Sequence, residues 1–508
     1  MLKEDVKIYS QNNEGMGIGK IDNIVTFVPF TLPNEVVDVI ITEQNKNYYN
    51  GFPKKLKSMS IERREIKCPY YYRCGGCNIL HQKYEYQLNF KKQKVIDNLM
   101  HIGKININCN IEIVSGEEYY YRNHITLSIL NDKIGFYMAK TNDIININEC
   151  IISNKKINEI IKNIKQFLKK YPDNNIDKIS IKAYNETQIN IMSNDFKLIN
   201  EFKKYVNTDS LYLNNEYVCG LKRVTEYLNN YKFYISCNSF FQKNTKMAEK
   251  LYDYIKENVN ENDKVLDLYC GTGSIGIYVS EKAKNILGIE IKDEAIEDAK
   301  LNAIENNANN IEFICGKTDN ALYNIKKIDT IIVDPPRVGL SNRVKNYILK
   351  INPKNIIYVS CDSVTLARDL KTLTESYNIK EIKLFDLFPN TYHVETVVLL
   401  SHKKPDGHIN VKVEFGEGEG KVPLDNIAKR AEEYKPKERV TYKMIKEYIE
   451  AKYGFKVHTA YIAEVKRDLG LPMYDAPNAV EELKQPRKHP TPEKVEAIKD
   501  ALKHFEVI

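Results

Sequence analysis

Residues 264–290 read KVLDLYCGTGSIGIYVSEKAKNILGIE. The runs VLDLY and ILGIE are short and apolar, which is typical of strands that are buried on both faces of a sheet. Between them, Gly271, Gly273 and Gly276 make a tight turn that opens a helix and lets a ligand approach the backbone closely. The segment therefore predicts a strand, a ligand-binding turn, a helix and a second strand.

The alternation of strand and helix extends from about residue 236 to residue 403. The runs IEFIC, TIIVD and IIYVS have the composition of further buried strands, and helical patterns at 293–306 and 364–375 separate some of them. Alternating strands and helices favour a parallel, doubly wound sheet. We therefore expect a multidomain α/β protein in which residues 236–403 form a Rossmann-like domain.

Four chemically useful residues follow the ends of separate predicted strands. They are Asp267, Glu290, Asp334 and Cys361. Glu290 lies at the distance along the chain where a carboxylate accepts hydrogen bonds from a ribose, and Asp334 opens the stiff turn Asp-Pro-Pro-Arg. Open α/β sheets bind ligands along this edge, so the four are expected to share one crevice. The glycine motif alone fits a dinucleotide as well as other cofactors.

A candidate nucleophile and a candidate base lie in the same half of the chain. Cys361 stands between a predicted strand and a predicted helix, where the helix dipole is expected to lower the thiol pKa from its free value of about 8.5. Glu395 precedes the strand-like run TVVLLS and suits acid–base work. Most cysteines of a cytosolic chain pack as small buried side chains instead. We expect this of Cys109, Cys219, Cys237 and Cys315.

A second group of thiols predicts a metal site. Cys68, Cys74 and Cys77 fall within ten residues, and Cys150 ends the strand-like run NIININEC. Four thiolates hold either zinc or an iron–sulfur cluster, and the spacing does not choose between the two. The CxxxCxxC pattern of radical enzymes is absent from this group, since five residues separate the first two cysteines.

Changes in pattern divide the chain into four segments. Residues 1–57 alternate short β-rich runs with glycines and predict a small barrel, and residues 58–235 mix the cysteine-rich loop with a helix near 84–100 and short strands. The α/β segment 236–403 follows. Residues 404–508 contain a helical pair, TYKMIKEYIEAKY and TAYIAEVKRDL, for which a helix-turn-helix and plain helical packing are both open interpretations.

Composition sets the broad class. The chain has 508 residues, a formal charge of +7 and 28% charged residues, which fits a globular protein with a polyanionic partner. No apolar run approaches the roughly 20 residues of a membrane span, and the N-terminus lacks the apolar core of a signal peptide. We therefore expect a cytoplasmic protein without a membrane partner.

Four segments carry a resemblance to a known family. They are YVSCDSVTLARDL around Cys361, FPNTYHVETVVLL around Glu395, DPPR at 334–337 and SFFQKN at 239–244. Together they resemble the RNA 5-methyluridine methyltransferases, and the resemblance extends over most of residues 1–403. It implies a class I methyltransferase domain that uses S-adenosylmethionine, preceded by a TRAM domain, an RNA-binding barrel with an OB-like architecture.

The resemblance also assigns roles to single residues. It makes Cys361 the nucleophile and Glu395 the general base, and it places Phe240 near the target base. The expected contacts to S-adenosylmethionine are Gln242, Tyr269, Glu290 and Asp334. Two positions depart from the family pattern: Ser363 stands where proline is usual, and Ser274 where many members have asparagine.

The cysteine-rich loop resembles the iron–sulfur branch of this family. That branch implies a [4Fe-4S] cluster on Cys68, Cys74, Cys77 and Cys150, with a structural or RNA-related role. It also implies 23S ribosomal RNA as the substrate and a monomeric enzyme. The alternatives are a transfer-RNA 5-methyluridine methyltransferase, an RNA 5-methylcytidine methyltransferase and an inactive RNA-binding protein, with a dehydrogenase as a more distant one.

Overall fold

The structure is a computed structural model that describes residues 2–107, 111–138, 141–322, 325, 327–403, 442–469 and 489–505. The chain divides into two compact units, Met1–Gly407 and His408–Ile508. The first unit contains every site residue predicted above. The second unit is described separately.

The N-terminal segment forms a closed barrel, as its glycine-punctuated β pattern predicted. Its strands are Leu2–Gln11 (β1), Gly17–Ile21 (β2), Ile24–Val28 (β3), Val36–Gln44 (β4) and Tyr48–Ser58 (β5). They close in the order β1-β2-β3-β5-β4 around buried residues that include Val28, Val37 and Val39. A Cβ on Gly17 would lie 2.0 Å from Thr31 Oγ1, so only glycine fits this close approach.

A long helix and a short strand follow the cysteine-rich loop. They are Tyr84–His101 (α1) and Glu112–Val114 (β6). Glu35, in the turn before β4, forms a buried ion pair with Arg63, whose Nε lies 2.6 Å from Glu35 Oε1. This pair holds the barrel against the part of the chain that leads to α1. Breaking a buried pair of this kind leaves an uncompensated charge, so the barrel is an integral part of this unit.

A seven-stranded sheet makes up the middle of the first unit. Its strands are His124–Leu130 (β7), Lys133–Tyr137 (β8), Ile144–Asn146 (β9), Ile176–Ala183 (β10), Thr187–Ser193 (β11), Ser210–Leu213 (β12) and Glu216–Gly220 (β13). They run in the order β13-β12-β11-β10-β7-β8-β9. Helices Lys155–Lys170 (α2) and Ile199–Tyr205 (α3) pack on it with isoleucines and Phe167 at 0% exposure. The hairpin Val224–Leu228 (β14) and Tyr231–Ile235 (β15) leads out of it.

The predicted α/β domain is an eight-stranded sheet. Its further strands are Lys264–Leu268 (β16), Asn285–Glu290 (β17), Ile311–Cys315 (β18), Thr330–Val333 (β19), Asn355–Ser360 (β20), Tyr377–Phe385 (β21) and Glu395–His402 (β22). The order is β18-β17-β16-β19-β20-β22-β21-β6. Strands β16 to β20 are parallel and β22 is antiparallel to both neighbours. This is the Rossmann-like fold expected from the sequence.

Helices cover both faces of this sheet. They are Thr245–Glu257 (α4), Ser274–Val279 (α5), Asp293–Glu305 (α6), Thr318–Ala321 (α7), Asn342–Ile351 (α8) and Ser363–Leu373 (α9). Two apolar cores result, one on each face, because the central strands are buried on both sides. Strand β6 pairs in parallel with β21, although it lies within the segment 58–235. The chain therefore enters the Rossmann-like sheet once before residue 236.

The second unit is helical where it is described. Its helices are Tyr442–Tyr453 (α10), Thr459–Asp468 (α11) and Pro492–His504 (α12). The first two confirm the predicted helical pair, whereas the third was not predicted. Ile445, Ile462 and Ile498, one from each helix, are fully buried in a common core. The other residues of the segment 404–508 lie outside the described ranges.

The cysteines outside the predicted sites do not all behave as expected. Cys237 is buried and Cys219 is partly buried, but the expectation was wrong for Cys315, which is exposed and lies 2.7 Å from Asp293 Oδ1. Cys109 lies outside the described residues. Over the described ranges, every helix is too short or too polar to cross a bilayer.

Candidate active site

One cavity of about 1110 Å³ is lined by most of the predicted site residues. They include the cofactor, nucleophile and base candidates Gln242, Tyr269, Glu290, Asp334, Cys361 and Glu395, together with Phe240, and also Cys68, Cys74, Cys77 and Cys150. Asp267, which was expected to share the crevice, is fully buried and does not line it. The residues come from the cysteine-rich loop, the seven-stranded sheet and the Rossmann-like sheet, so the first unit assembles the site from distant parts of the chain.

The glycine turn lines the cavity. Tyr269, Gly271 and Gly273 all have left-handed backbone conformations, with φ of +65°, +54° and +76°. A Cβ built on Gly271 meets nothing within 4 Å, so the backbone at this point faces open space. Glu290 Oε2 accepts a hydrogen bond from Gly271 N at 3.3 Å, which holds the carboxylate beside the turn. The open space at Gly271 and the carboxylate beside it leave room for a ligand against the backbone of this turn.

Buried carboxyls surround this turn. Asp267 Oδ2 accepts from Gly276 N at 3.1 Å, while its Oδ1 is buried without a hydrogen-bond partner among the described residues. Burial, reinforced by the charge of Asp334, raises the pKa of Asp267 to about 8. Burial alone raises the pKa of Asp334 to about 7. Both carboxyls would be stabilised in their charged forms by a cation in the cavity.

The turn that carries Cys361 is firmly held. Asp362 caps α9, and its Oδ1 accepts from Val364 N at 3.1 Å and Thr365 N at 2.8 Å. Thr365 Oγ1 donates to the backbone oxygen of Arg337 at 3.0 Å, which ties the turn to the Asp-Pro-Pro-Arg loop. These contacts fix the thiol at the carboxyl end of β20.

The predicted direction of the Cys361 pKa was wrong. Burial, together with the charges of Glu395 and Asp334, raises the pKa of the thiol to about 12, and only Arg337 acts in the opposite direction. The prediction rested on the helix dipole alone and left out the partial burial of the side chain and the two carboxyls near it, both of which disfavour a thiolate. Cys361 therefore needs a positive charge nearby to become a thiolate.

Glu395 begins β22 and is 8% exposed. Burial and the charge of Asp334 raise its pKa to about 8, against the opposing effect of Arg337. A carboxyl with this pKa exchanges a proton near neutral pH, which is what a general base requires. Cys361 directly follows β20 and Glu395 begins β22, and these strands pair with each other, so the candidate nucleophile and the candidate base lie close together.

Phe240 and Gln242 lie on a loop that is held by hydrogen bonds to three buried side chains, those of Lys182, Asp298 and Asn123. Lys182 of β10 is 4% exposed, and its ammonium donates to the backbone oxygens of Ser236, Cys237 and Ser239 at 3.0, 2.7 and 3.2 Å. Asp298 of α6 accepts from the amide and hydroxyl of Ser236 and from the hydroxyl of Ser239 at 2.6 to 2.8 Å. These contacts leave Phe240 60% exposed to the cavity.

The third of these side chains, Asn123, holds the end of the loop at Gln242 and Lys243. Asn123 Nδ2 donates to the backbone oxygen of Gln242 at 3.0 Å, and Asn123 N donates to that of Lys243 at 3.0 Å. Sequence reasoning missed Lys182, Asp298 and Asn123. They come from three segments whose local patterns are ordinary, and only their partners in the fold give them a role.

Basic side chains also line the cavity. Arg337 Nη2 lies 3.4 Å from His393 Nε2, and burial with the charge of Arg337 lowers the pKa of His393 to about 4, so this imidazole is neutral near pH 7. Burial, with the charges of Arg122 and Arg337, lowers the pKa of Lys243 to about 8. Apart from Arg337, which was noted only for its turn, these residues were not singled out from the sequence. The positive charges of Arg122, Lys243 and Arg337 suit a polyanionic ligand.

The four cysteines of the predicted metal site lie near one another and line the same cavity. Burial raises the pKa of Cys77, and the charges of Cys150, Cys74 and Cys68 add to the effect, so the four sulfurs lie close enough to interact. The loop closes through a hydrogen bond from Gly76 N to Cys74 Sγ at 3.4 Å. Over the described parts of the chain, no group of three or more His, Cys, Asp or Glu side chains is arranged to hold a single metal ion.

Comparisons of sequence match two families. The family described as tRNA (Uracil-5-)-methyltransferase matches residues 173–403, and the TRAM domain family matches residues 3–51. An uncharacterized RNA methyltransferase of Clostridium tetani is 36% identical over 440 residues, which cover 78% of this chain and 95% of the relative. A second one, of Clostridium acetobutylicum, is 35% identical over 452 residues, covering 78% and 96%.

A solved structure is also similar. The tRNA (uracil-54, C5)-methyltransferase of Pyrococcus abyssi, crystallised with S-adenosyl-L-homocysteine, is 30% identical in sequence with a TM-score of 0.64. The similarity covers 79% of this chain and 100% of that one.

Proposed function

This chain belongs to the RNA uracil-5-methyltransferase family, whose members depend on S-adenosylmethionine, and we propose that it methylates carbon 5 of a uridine in 23S ribosomal RNA through a covalent bond to Cys361. The observation that carries the proposal is the meeting of Cys361, Glu395 and the glycine turn in one cavity. The TRAM barrel supports an RNA substrate.

Cys361 supplies the activation that this reaction needs. Carbon 5 of uracil is a weak nucleophile, and addition of the Cys361 sulfur to carbon 6 moves the electrons of the 5,6 double bond toward the carbonyl oxygen at carbon 4. The resulting enolate attacks through carbon 5. S-adenosylmethionine supplies the methyl group as a sulfonium, whose carbon–sulfur bond breaks as the new carbon–carbon bond forms.

Glu395 completes the reaction. After methylation, carbon 5 carries both the methyl group and the original hydrogen. The Glu395 carboxylate takes that hydrogen as a proton, the double bond re-forms, and the electron pair of the carbon–sulfur bond leaves with Cys361. The products are 5-methyluridine, S-adenosylhomocysteine and the free thiolate. The pKa of about 8 suits Glu395 to accept a proton near neutral pH.

The charges of the cavity support this assignment. The Cys361 thiolate is opposed by Asp334 and Glu395 and favoured by Arg337. A sulfonium near the two carboxyls offsets their effect, so thiolate formation is coupled to the presence of the methyl donor. We assign Gln242, Tyr269, Glu290 and Asp334 to cofactor binding, since all four line the cavity beside the glycine turn. The unpaired Oδ1 of Asp267 and the open space at Gly271 fit a ligand there.

We further propose a [4Fe-4S] cluster on Cys68, Cys74, Cys77 and Cys150. The proposal is supported by four thiols that line the cavity, in mutual electrostatic contact and partly shielded from water. Thiolate is the donor that iron–sulfur clusters require, and the mutual repulsion of the four thiolates would be relieved by iron. No step of methyl transfer involves these four cysteines, so the cluster is assigned a structural or RNA-related role.

The RNA substrate has two candidates. The cysteine set and the barrel together favour 23S ribosomal RNA, following the resemblance of this chain to the iron–sulfur branch of the family. Transfer RNA is the second candidate, because the similar structure from Pyrococcus abyssi is a tRNA methyltransferase that acts on uracil 54. A 5-methylcytidine methyltransferase is disfavoured by the match to the uracil-5 family and by Arg337, which stands beside the Asp-Pro-Pro turn where such enzymes have a second cysteine. An inactive RNA-binding protein is disfavoured because Cys361 and Glu395 line one cavity.

We assign the segments roles in this scheme. Residues 1–57 bind RNA, 58–235 form the iron–sulfur domain, 236–403 carry out methyl transfer, and 404–508 act as an accessory docking segment that the chemistry does not need. We propose that the enzyme works as a monomer in the cytoplasm, since the cavity is formed within one chain.

The substrate assignment is tested with the purified protein and isotopically methyl-labelled S-adenosylmethionine. Transcripts of 23S ribosomal RNA and of transfer RNA are supplied separately, and the modified nucleoside is identified by mass spectrometry. We expect 5-methyluridine in the ribosomal transcript at a single position or a few positions. Label in transfer RNA alone would favour the second candidate, and 5-methylcytidine in either would overturn the reaction.

A further inference from the structure

Helix α1 contacts the turn that carries the nucleophile. Asn98 is 4% exposed, and its Nδ2 donates to Ser363 Oγ at 2.8 Å. Ser363 is the first residue of α9 and lies two residues after Cys361. Proline, which is usual at this position in the family, would fix the backbone by its ring. In this chain a serine stands there, and a hydrogen bond from another helix holds it.

The same helix contacts the segment that leads to the base. Gln87 and Asn390 exchange two hydrogen bonds, from Gln87 Nε2 to Asn390 Oδ1 at 3.1 Å and from Asn390 N to Gln87 Oε1 at 2.9 Å. Lys91 Nζ donates to Asp386 Oδ1 at 2.5 Å and to the backbone oxygen of Phe388 at 3.1 Å, with both charged side chains at 0% exposure. These bonds fix the segment that ends at Glu395.

One face of α1 makes both sets of contacts. Gln87, Lys91, Lys94 and Asn98 are spaced by four, three and four residues, which places them in one row along a helix. Lys94 Nζ donates to the backbone oxygen of Tyr392 at 3.0 Å, between the two ends. The N-terminal half of the row therefore holds the base segment, and its C-terminal end holds the nucleophile turn.

The barrel orients the last residue of this row. Asn13 Nδ2, from the turn between β1 and β2, donates to Asn98 Oδ1 at 3.2 Å. The amide of Asn98 thus accepts from the barrel on one side and donates to Ser363 on the other. The backbone just after the end of α1 approaches α9 closely as well, since a Cβ on Gly103 would lie 3.1 Å from the Ala367 oxygen.

We infer that α1 is a positioning helix that sets the relative placement of Cys361 and Glu395, with Asn98 serving the nucleophile and Gln87 serving the base. This inference rests on the proposed covalent mechanism. Neither residue lines the cavity, so each acts through its partner. Loss of Asn98 loosens the turn of Cys361 and slows addition to carbon 6. Loss of Gln87 loosens the segment before Glu395 and slows proton removal, after the adduct has formed.

The test separates these two steps. The full-length enzyme is incubated with a 5-fluorouridine RNA, and the rate of the covalent adduct is followed on denaturing gels. Ordinary RNA then reports the fraction of enzyme that is covalently bound during turnover. We expect Asn98→Ala to slow adduct formation about tenfold, the equivalent of about 1.4 kcal/mol, without raising the covalent fraction on ordinary RNA. We expect Gln87→Ala to leave adduct formation within about twofold and to raise that fraction.

A rescue distinguishes positioning from mere packing. Ser363→Pro restores the constraint by the proline ring, so Asn98→Ala should have no further effect on adduct formation in the Ser363→Pro background. Gln93 is exposed on the same helix, and its side chain donates to Asp97 one turn further along. Gln93→Ala therefore serves as the matched control.

Two results would overturn the role of α1. One is equal slowing of both steps by Asn98→Ala and by Gln87→Ala, and the other is an undiminished effect of Asn98→Ala in the Ser363→Pro background. A wild-type enzyme that forms no adduct overturns the proposed function itself.

Discussion

Replacement of Lys182 by methionine is expected to destabilise the loop that carries Phe240 and Gln242. The Lys182 ammonium is buried and bonded to three backbone oxygens. Methionine fills a similar volume and donates nothing, so the three carbonyls lose their partner. The substitution thus isolates the hydrogen bonds from the packing of the side chain.

The magnitude follows from two opposing contributions. Loss of the ammonium leaves the backbone oxygens of Cys237 and Ser239 without this donor, whereas the oxygen of Ser236 keeps the Ser239 amide at 3.3 Å. A buried carbonyl left unpaired costs about 1–3 kcal/mol, so two cost roughly 2–6 kcal/mol. Against this, burial lowers the pKa of Lys182 from 10.5 to about 8. That shift corresponds to about 3.4 kcal/mol against the charged form, and methionine does not incur it. The difference, taken at the middle of the range, is a small net loss of about 0.6 kcal/mol.

Urea denaturation and cofactor binding measure this effect together. Lys182→Met should lower the unfolding midpoint and weaken S-adenosylmethionine binding, because the loop that carries Gln242 is released. Lys178→Met is the matched control, since Lys178 lies on the same strand and is exposed. If the Lys182→Met protein has the same unfolding midpoint and cofactor affinity as the control, the claim that Lys182 holds this loop in place is wrong.

Three further predictions concern the cluster, the base and the second unit. Protein purified without oxygen should be brown and contain iron and sulfide, and Cys77→Ala should lose both while Cys219→Ala retains them; stoichiometric zinc without sulfide would contradict the cluster. Glu395 holds its proton below its pKa of about 8 and is a carboxylate above it, so the rate at which the methylated RNA is released from the covalent adduct should rise from pH 6 toward pH 8 and then level off. A flat profile would exclude it as the base. Truncation after Gly407 should leave turnover on a short RNA within about twofold, and complete loss by a folded protein would refute an accessory role.

The frame of the site was predictable from local patterns. Buried strands of four to six residues alternate with helices around Asp267 and Asp334, and the carboxyl ends of parallel strands meet at one edge. The alternation of strands and helices, together with the glycines of the turn, was therefore enough to locate the cofactor turn and Cys361. The closed barrel followed from regular glycine spacing in the same way. These features depend on contacts between near neighbours in the chain.

The pKa of Cys361 and the hydrogen bonds that hold the loop of Phe240 and Gln242 were not predictable in this way. The thiol of Cys361 was expected to have a lowered pKa from its helix, but its neighbours Glu395 and Asp334 arrive from other strands and raise it. Lys182 lies in an ordinary alternating strand, and nothing in its own segment indicates that it is buried against the loop of Ser236. Such contacts depend on the packing of separate sheets, which a local pattern does not encode.

The central claim is a division of labour between Cys361 and Glu395, and one comparison tests it directly. Glu395→Gln keeps the size of the side chain and loses the base, so with ordinary RNA and S-adenosylmethionine it should accumulate a methylated, covalent protein–RNA complex. Cys361→Ala has no sulfur to add to carbon 6, so it should form no covalent complex, even with 5-fluorouridine RNA, which is expected to trap the wild-type enzyme. A Cys361→Ala protein that still crosslinks to 5-fluorouridine RNA would contradict the account.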